Sequence, residues 1–131
     1  MDVIIRCEEP GDEAAVRAVN LAAFPEPAEA NLVDALRANG KATISLVAVG
    51  DAGVIGHILF SQMTMESNTG QRPVLGLGPM AVHPDVQRVG VGSRLVTAGL
   101  DHCRRSGTGC VVVLGHPGFY PRFGFVPAGR F

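Results

Sequence analysis

The sequence has 131 residues, 47% of them apolar, and a formal net charge of -1. That length suits one domain and leaves little room for two, and the apolar fraction is too high for a disordered chain. With no basic run, nothing supports a nucleic-acid partner, and apolar stretches such as Ile58-Leu59-Phe60 fall far short of the ~20 residues that cross a membrane.

Val3 to Cys7 is short and rich in β-branched residues, which predicts an opening strand. Met1 to Arg6 shows no charged segment followed by an apolar one, so no signal peptide is expected and the default location is cytoplasmic. Pro10-Gly11-Asp12 breaks the strand. Asp12 is placed to cap a helix running to about Phe24, with Val16 and Val19 on its buried face. Beyond Pro25 and Pro27 a second helix is expected from about Ala28 to Asn39. It carries Leu32, Val33 and Leu36 as its apolar stripe, and Gly40 suits its C-terminal cap.

Ser45 to Val49 and Val54 to Met65 read as two strands of a hairpin around Gly50-Asp51-Ala52-Gly53. The polar stretch from Glu66 to Pro73 reads as a loop. Val74 to Val82 returns to strand character but contains Gly76, Gly78 and Pro79. A proline cannot donate to a sheet ladder, so this strand should bulge or lie at an edge. Gly90 to about Ser106 is helical in pattern, with Leu95, Val96, Leu100 and Cys103 on one face. Cys110 to Leu114 is a short apolar strand of the kind found inside a sheet, and Pro121 limits any later helix to one or two turns. The order predicts an α+β fold: a mixed, largely antiparallel sheet with one crossover helix. The three cysteines, Cys7, Cys103 and Cys110, form no C-x-x-C pair, which argues against a disulfide framework or a structural zinc site; no metal is expected.

The chemistry concentrates between Met80 and Gly92, Met-Ala-Val-His-Pro-Asp-Val-Gln-Arg-Val-Gly-Val-Gly. Here a strand gives way to a helix through a glycine-bearing loop. Successive N–H groups at such a turn, added to the positive end of the helix dipole, make an anion site suited to a pyrophosphate. Gly90 and Gly92 would let the backbone approach phosphates, and Arg88 could add a charge-assisted contact. The loop matches neither G-x-x-x-x-G-K-[ST] nor G-x-G-x-x-G, and alone it is equally compatible with a plain glycine turn or a site for another nucleotide.

Gln87-Arg88-Val89-Gly90-Val91-Gly92 resembles the Q/R-x-x-G-x-G/A signature of GNAT-superfamily N-acetyltransferases, and Tyr120-Pro121-Arg122-Phe123-Gly124-Phe125 resembles their Y-x-x-x-G-F element. Two motifs in the right order are more specific than either alone. The resemblance covers the chain from Val3 onward and is strongest to small bacterial members with a Gly-His-Pro…Tyr-Pro-Arg-Phe-Gly-Phe tail. It implies a GNAT-like three-layer α/β/α domain over residues 1–131 that uses acetyl-CoA as cosubstrate and a small-molecule or peptide amine as acceptor. Val89, Gly90, Val91 and Gly92 would hold the pyrophosphate, with Gln87 and Arg88 at the loop mouth. Met80, Ala81 and Val82 would pair with the pantetheine arm, and a backbone N–H of that strand would polarise the thioester carbonyl. Tyr120, the only tyrosine, stands at the position of the general acid; as a residue, it equally suits packing beside Phe119 and Phe123.

The base is open among His83, His116, Glu66 and a water chain; His57 lies within a strand and reads as a packing or surface residue. Glu26 and Glu29 could meet a cationic acceptor or form a solvated helix face. Members often carry an Asn after the fifth strand, where this chain has Gly115-His116-Pro117. The family fold continues with a hairpin that walls the acceptor pocket, and this sequence stops at Phe131. Exposed strand edges leave pairing into a homodimer open. A non-catalytic acyl-CoA sensor or regulatory module would carry the same loop and is the alternative reading.

Overall fold

The structure, a computed structural model, describes residues 2–68, 70–87, 89–108 and 110–113, apart from the side chains of residues 65 and 67. Strand β1 (Ile4–Cys7) leads through a short turn into helices α1 (Glu13–Ala23) and α2 (Ala28–Ala38). Strands β2 (Ala42–Gly50), β3 (Gly53–Ser67) and β4 (Gly70–Val82) follow, then helix α3 (Val91–Arg105) and strand β5 (Val111–Val113). The sheet runs β1-β2-β3-β4-β5, antiparallel except for the parallel β4–β5 pair that α3 connects.

Alternation along the strands sorts side chains to the two faces of the sheet. Val47 and Leu59 join Val16 of α1 and Val33 of α2 in one buried cluster. Leu46, Ala48, Ile58 and Phe60 join Val91, Leu95, Val96 and Cys103 of α3 in the other. Two helices thus cover one face and one helix the other, which gives the expected three layers. Side chains as fully buried as Phe60, Leu59 and Leu95 each contribute roughly 1.5–3 kcal/mol.

Helix α3 comes close to the sheet because Gly99 has no side chain. A Cβ there would stand 2.3 Å from Cε1 of the Phe60 ring. Leu100 is only half-buried, so the apolar face of α3 is centred on Leu95, Val96, Gly99 and Cys103.

Two local expectations are corrected. Asp12 precedes α1 but does not cap it with its side chain. Its carboxylate instead accepts from the Glu9 N–H (2.8 Å) and pairs with Arg6 (2.7 and 3.1 Å), fastening the turn that leads into the helix. Residues 66–67 and 70–73 lie in strands rather than in a loop: β3 and β4 continue outward until Ser67 pairs with Gly70. These strand ends carry exposed polar residues, so they have no core face and show no apolar alternation. Pro73 fits there because β5 pairs with β4 only from Leu75, and an edge position tolerates a missing donor. Strand β5 is half-buried and lies beside β4, the last in order among the described residues.

Candidate functional site

The site begins with an irregularity in β4. Ile58 of β3 stands opposite Met80, but Phe60 stands opposite Leu77, so β4 fits Gly78 and Pro79 where β3 has Leu59 alone. This is the bulge that Gly78 and Pro79 predict. Among the described residues β5 pairs with Leu75, Gly76 and Leu77 of β4, before the bulge. Among the described residues, no strand pairs with Met80–Val82 on the side away from β3. Among the described residues the sheet is therefore split along that edge.

The chain then turns toward α3. His83 begins a short turn in which its Nδ1 accepts from the Asp85 N–H at 3.2 Å. Gln87 reaches back and donates its side-chain amide to the Val82 carbonyl at 3.0 Å, which holds the loop against the end of β4. Gly90 is the residue before α3 and has φ 91°, ψ 5°, a left-handed conformation that costs an L-residue with a side chain about 1–2 kcal/mol. Its carbonyl accepts from Arg94, so the first turn of α3 starts there.

The N–H groups of Val91, Gly92 and Ser93 have no helical carbonyl to bond and lie at the positive end of α3. A Cβ on Gly92 would point back at Met80 (3.4 Å from Cε) and Val82 (3.7 Å from Cγ2), in ordinary contact. Gly92 thus faces the sheet, and Gly90 alone carries the conformational demand.

On the other side of the split lies a cavity of about 480 Å³. Phe24 and the α2 residues Glu29, Leu32 and Leu36 form one wall. Ser61 to Met63 of β3, Gly76 to Met80 of β4 and Val112 of β5 form the other. The sequence does not show this cavity as a whole, though Glu29 in its wall is one of the two residues it offers as contacts for a cationic acceptor. A trace of it was present: Leu32 and Val33 are adjacent and cannot both face the core, and Leu32 is indeed 47% exposed while Val33 is buried. Oε2 of Glu29 is buried and has no hydrogen-bond partner among the described residues.

A split β4 edge beside a glycine-capped helix start can be set against known proteins. Residues 41–127 match the acetyltransferase (GNAT) domain family. The uncharacterized N-acetyltransferase YhbS of Escherichia coli K12 is 39% identical over 94% of this chain and 73% of its own length. The uncharacterized N-acetyltransferase YjhQ of the same organism is 39% identical over 88% of this chain, which spans 65% of YjhQ. A GNAT family acetyltransferase from Brucella melitensis, solved in complex with acetyl-CoA, superposes with a TM-score of 0.89 at 40% identity. That match covers 96% of this chain and 84% of the other. YhbS solved with CoA gives 0.90 at 37% identity, covering 98% and 71%.

The chain belongs to the GNAT acetyltransferase family. Its members are acyltransferases, and the three-layer fold with a largely antiparallel sheet agrees with the solved relatives.

Within this GNAT domain the structure brings Met80, Ala81, Val82, Gln87, Val89, Gly90, Val91 and Gly92 together around the split edge and the start of α3. Arg88, Tyr120 and His116 lie outside the described residues.

The remaining base candidates separate clearly. Glu66 is exposed near the outer end of β3, paired in register with Gln71. His83 is engaged with Asp85, whose carboxylate lies 3.6 Å from Nδ1. His57 is fully buried. Its Nδ1 faces the Asn20 amide at 3.3 Å, and its Nε2 faces Ser45 Oγ at 2.8 Å. Ser45 in turn donates to Glu8, which pairs with Arg37 at 2.5 Å.

One proton arrangement satisfies this chain of contacts: Asn20 donates to Nδ1, Nε2–H donates to Ser45, and the serine hydroxyl donates to Glu8. Desolvation lowers the His57 pKa to about 4, outweighing the attraction of Glu8, with Arg37 lowering it further. His57 is a neutral structural residue that ties α1, β2 and β3 together. Among the described residues no cluster of His, Cys, Asp and Glu could hold a metal, and no helix is long and apolar enough to cross a membrane.

Proposed function

We propose that this domain transfers an acetyl group from acetyl-CoA to an amine of a small molecule or peptide by direct attack of the amine on the thioester. The observation that carries the reading is the β4 edge at Met80–Val82 on the side away from β3, which no described strand pairs and which adjoins the first turn of α3. An unpaired strand edge offers N–H and C=O groups at the spacing a pantetheine arm presents, much as an added strand would. The N–H groups of Val91, Gly92 and Ser93 suit a pyrophosphate. The acetyl-CoA in the Brucella relative, 40% identical, supports the same ligand.

In this reading acetyl-CoA supplies the activated acyl group. Backbone N–H groups of Met80–Val82 orient the arm and stabilise the oxygen that gains charge during attack. Gly90 sets the direction of the first-turn N–H groups. Tyr120 is assigned to proton donation to the leaving thiolate, by its position in the Tyr120 to Phe125 motif. His57 is too buried and too fully bonded to act as base. A cytoplasmic setting, where acetyl-CoA is available, belongs to the same proposal, and residues 1–131 act in it as one acyl-CoA-binding domain.

Calorimetric titration with acetyl-CoA and, separately, with ATP tests the reading. Selective binding of acetyl-CoA followed by thiol release with an amine panel is expected. Binding without release across the panel would favour the acyl-CoA sensor, and no binding would remove the transferase reading.

A further inference from the structure

The cavity beside the β4 bulge is apolar on most of its surface, with Phe24, Leu32, Leu36 and Met63 among its walls. Its volume of about 480 Å³ lies within the range of small-molecule sites. Among the described residues it carries one acidic side chain, Glu29, in the first turn of α2. No ion pair is formed by Glu29 among the described residues, and its Oε2 is buried without a hydrogen-bond partner. A buried carboxylate oxygen left unsatisfied is expensive, and a fold retains one where something else completes it. The cheapest completion in an apolar cavity is a cation with N–H donors, since a charge-assisted bond satisfies the oxygen and the apolar walls take the rest of the molecule.

We propose that Glu29 is the specificity-determining residue of the acceptor pocket and selects amines whose ammonium group is attached to an apolar body. This rests on the transferase reading and adds the acceptor class to it. Acidic and phosphorylated acceptors are disfavoured, because each would bring a second negative charge against Glu29.

The test uses the protein saturated with CoA, which cannot turn over, and ligands of nearly equal shape. These are 2-phenylethylamine (cationic), 2-phenylethanol (neutral) and 3-phenylpropionate (anionic), titrated by NMR. The wild type should bind the amine at least tenfold more tightly than the alcohol and bind the carboxylate least. Glu29→Gln should equalise amine and alcohol. Glu29→Lys should reverse the order in favour of 3-phenylpropionate. CoA affinity should be the same in all three proteins, which also reports that the variants are folded.

A wild type without preference for the amine overturns the proposal without recourse to any variant, as does a Glu29→Gln protein that keeps the preference. If CoA fails to bind the wild type, the transferase reading falls and this one with it. If CoA binds and the amine preference is absent, only the role of Glu29 falls.

Discussion

At the scale of single residues, His57 and Gly90 are the positions where the fold imposes most on chemistry. Burial holds His57 near a pKa of about 4, against an ordinary value of 6.5. Between those values the unfolded chain binds a proton that the folded chain refuses, so stability is full above pH 6.5 and falls as pH drops toward 4. The loss is on the order of 3 kcal/mol at the bottom of the window. Asp12 acts in a separate, lower range. The hydrogen bond from Arg6, aided by the Glu9 N–H, holds it at about 2, so its contribution is lost as pH falls from 3.8 toward 2. A His57→Gln variant should therefore show a flattened dependence of the urea midpoint between pH 6.5 and 4, and an unchanged one below. A variant with the wild-type slope in that window would show that His57 is not the group responsible. Gly90 and Gly92 give a second residue-scale contrast. Gly90→Ala must place a side chain at φ 91°, whereas the Cβ of Gly92→Ala meets Met80 at an ordinary 3.4 Å. Gly90→Ala should lose about 1–2 kcal/mol and at least tenfold in acetyl-CoA affinity. Gly92→Ala should come within a few-fold of wild type in affinity, as read by the same calorimetry.

Single elements show where opposing effects must be weighed by size. On helix propensity alone, Gly99→Ala in the middle of α3 should stabilise by up to about 1 kcal/mol. The added methyl, however, would lie 2.3 Å from a ring that is fully buried. Overpacking of this kind costs about 1–3 kcal/mol. The clash wins, so Gly99→Ala should lower the denaturation midpoint. Combining it with Phe60→Leu should recover part of the loss, the sign of a direct contact in a double-mutant cycle. Additive losses would mean that α3 moves off the sheet instead. The same helix shows what a sequence makes visible. Its apolar face was legible from Leu95, Val96 and Cys103, because burial leaves a 3.6-residue period. That α3 needs a glycine under Phe60 was not, since close approach depends on a residue 39 positions away. The outer ends of β3 and β4 were equally hidden: exposed on both faces, they carry no alternation for a period-two reading to find.

Across the whole molecule, the described part of the sheet is continuous on one side of β4 and interrupted on the other. β3 and β4 are paired along nearly their whole length, whereas among the described residues β5 pairs with β4 at Leu75, Gly76 and Leu77. The interruption was legible, because Gly78-Pro79 in a strand announces a bulge. The cavity behind it was not, since its walls come from Phe24, α2, β3 and β4, which only the tertiary fold brings together. A ligand lying in the split would bridge β4 to the start of α3 and lend support to β5. At 100 times its Kd, acetyl-CoA would add about 2.7 kcal/mol of stability, which for a chain of 131 residues corresponds to roughly 10 °C in Tm. ATP at the same concentration should give much less, having no arm to pair with Met80–Val82. Hydrogen exchange then locates the effect. Amides in β5 and the first turn of α3 should gain protection with acetyl-CoA. Those of β1, at the far edge of the sheet, should change only as global stability dictates. If protection rose at residues 83–90 alone, the ligand would be held only by its phosphates, and the pairing role of Met80–Val82 would have to be abandoned.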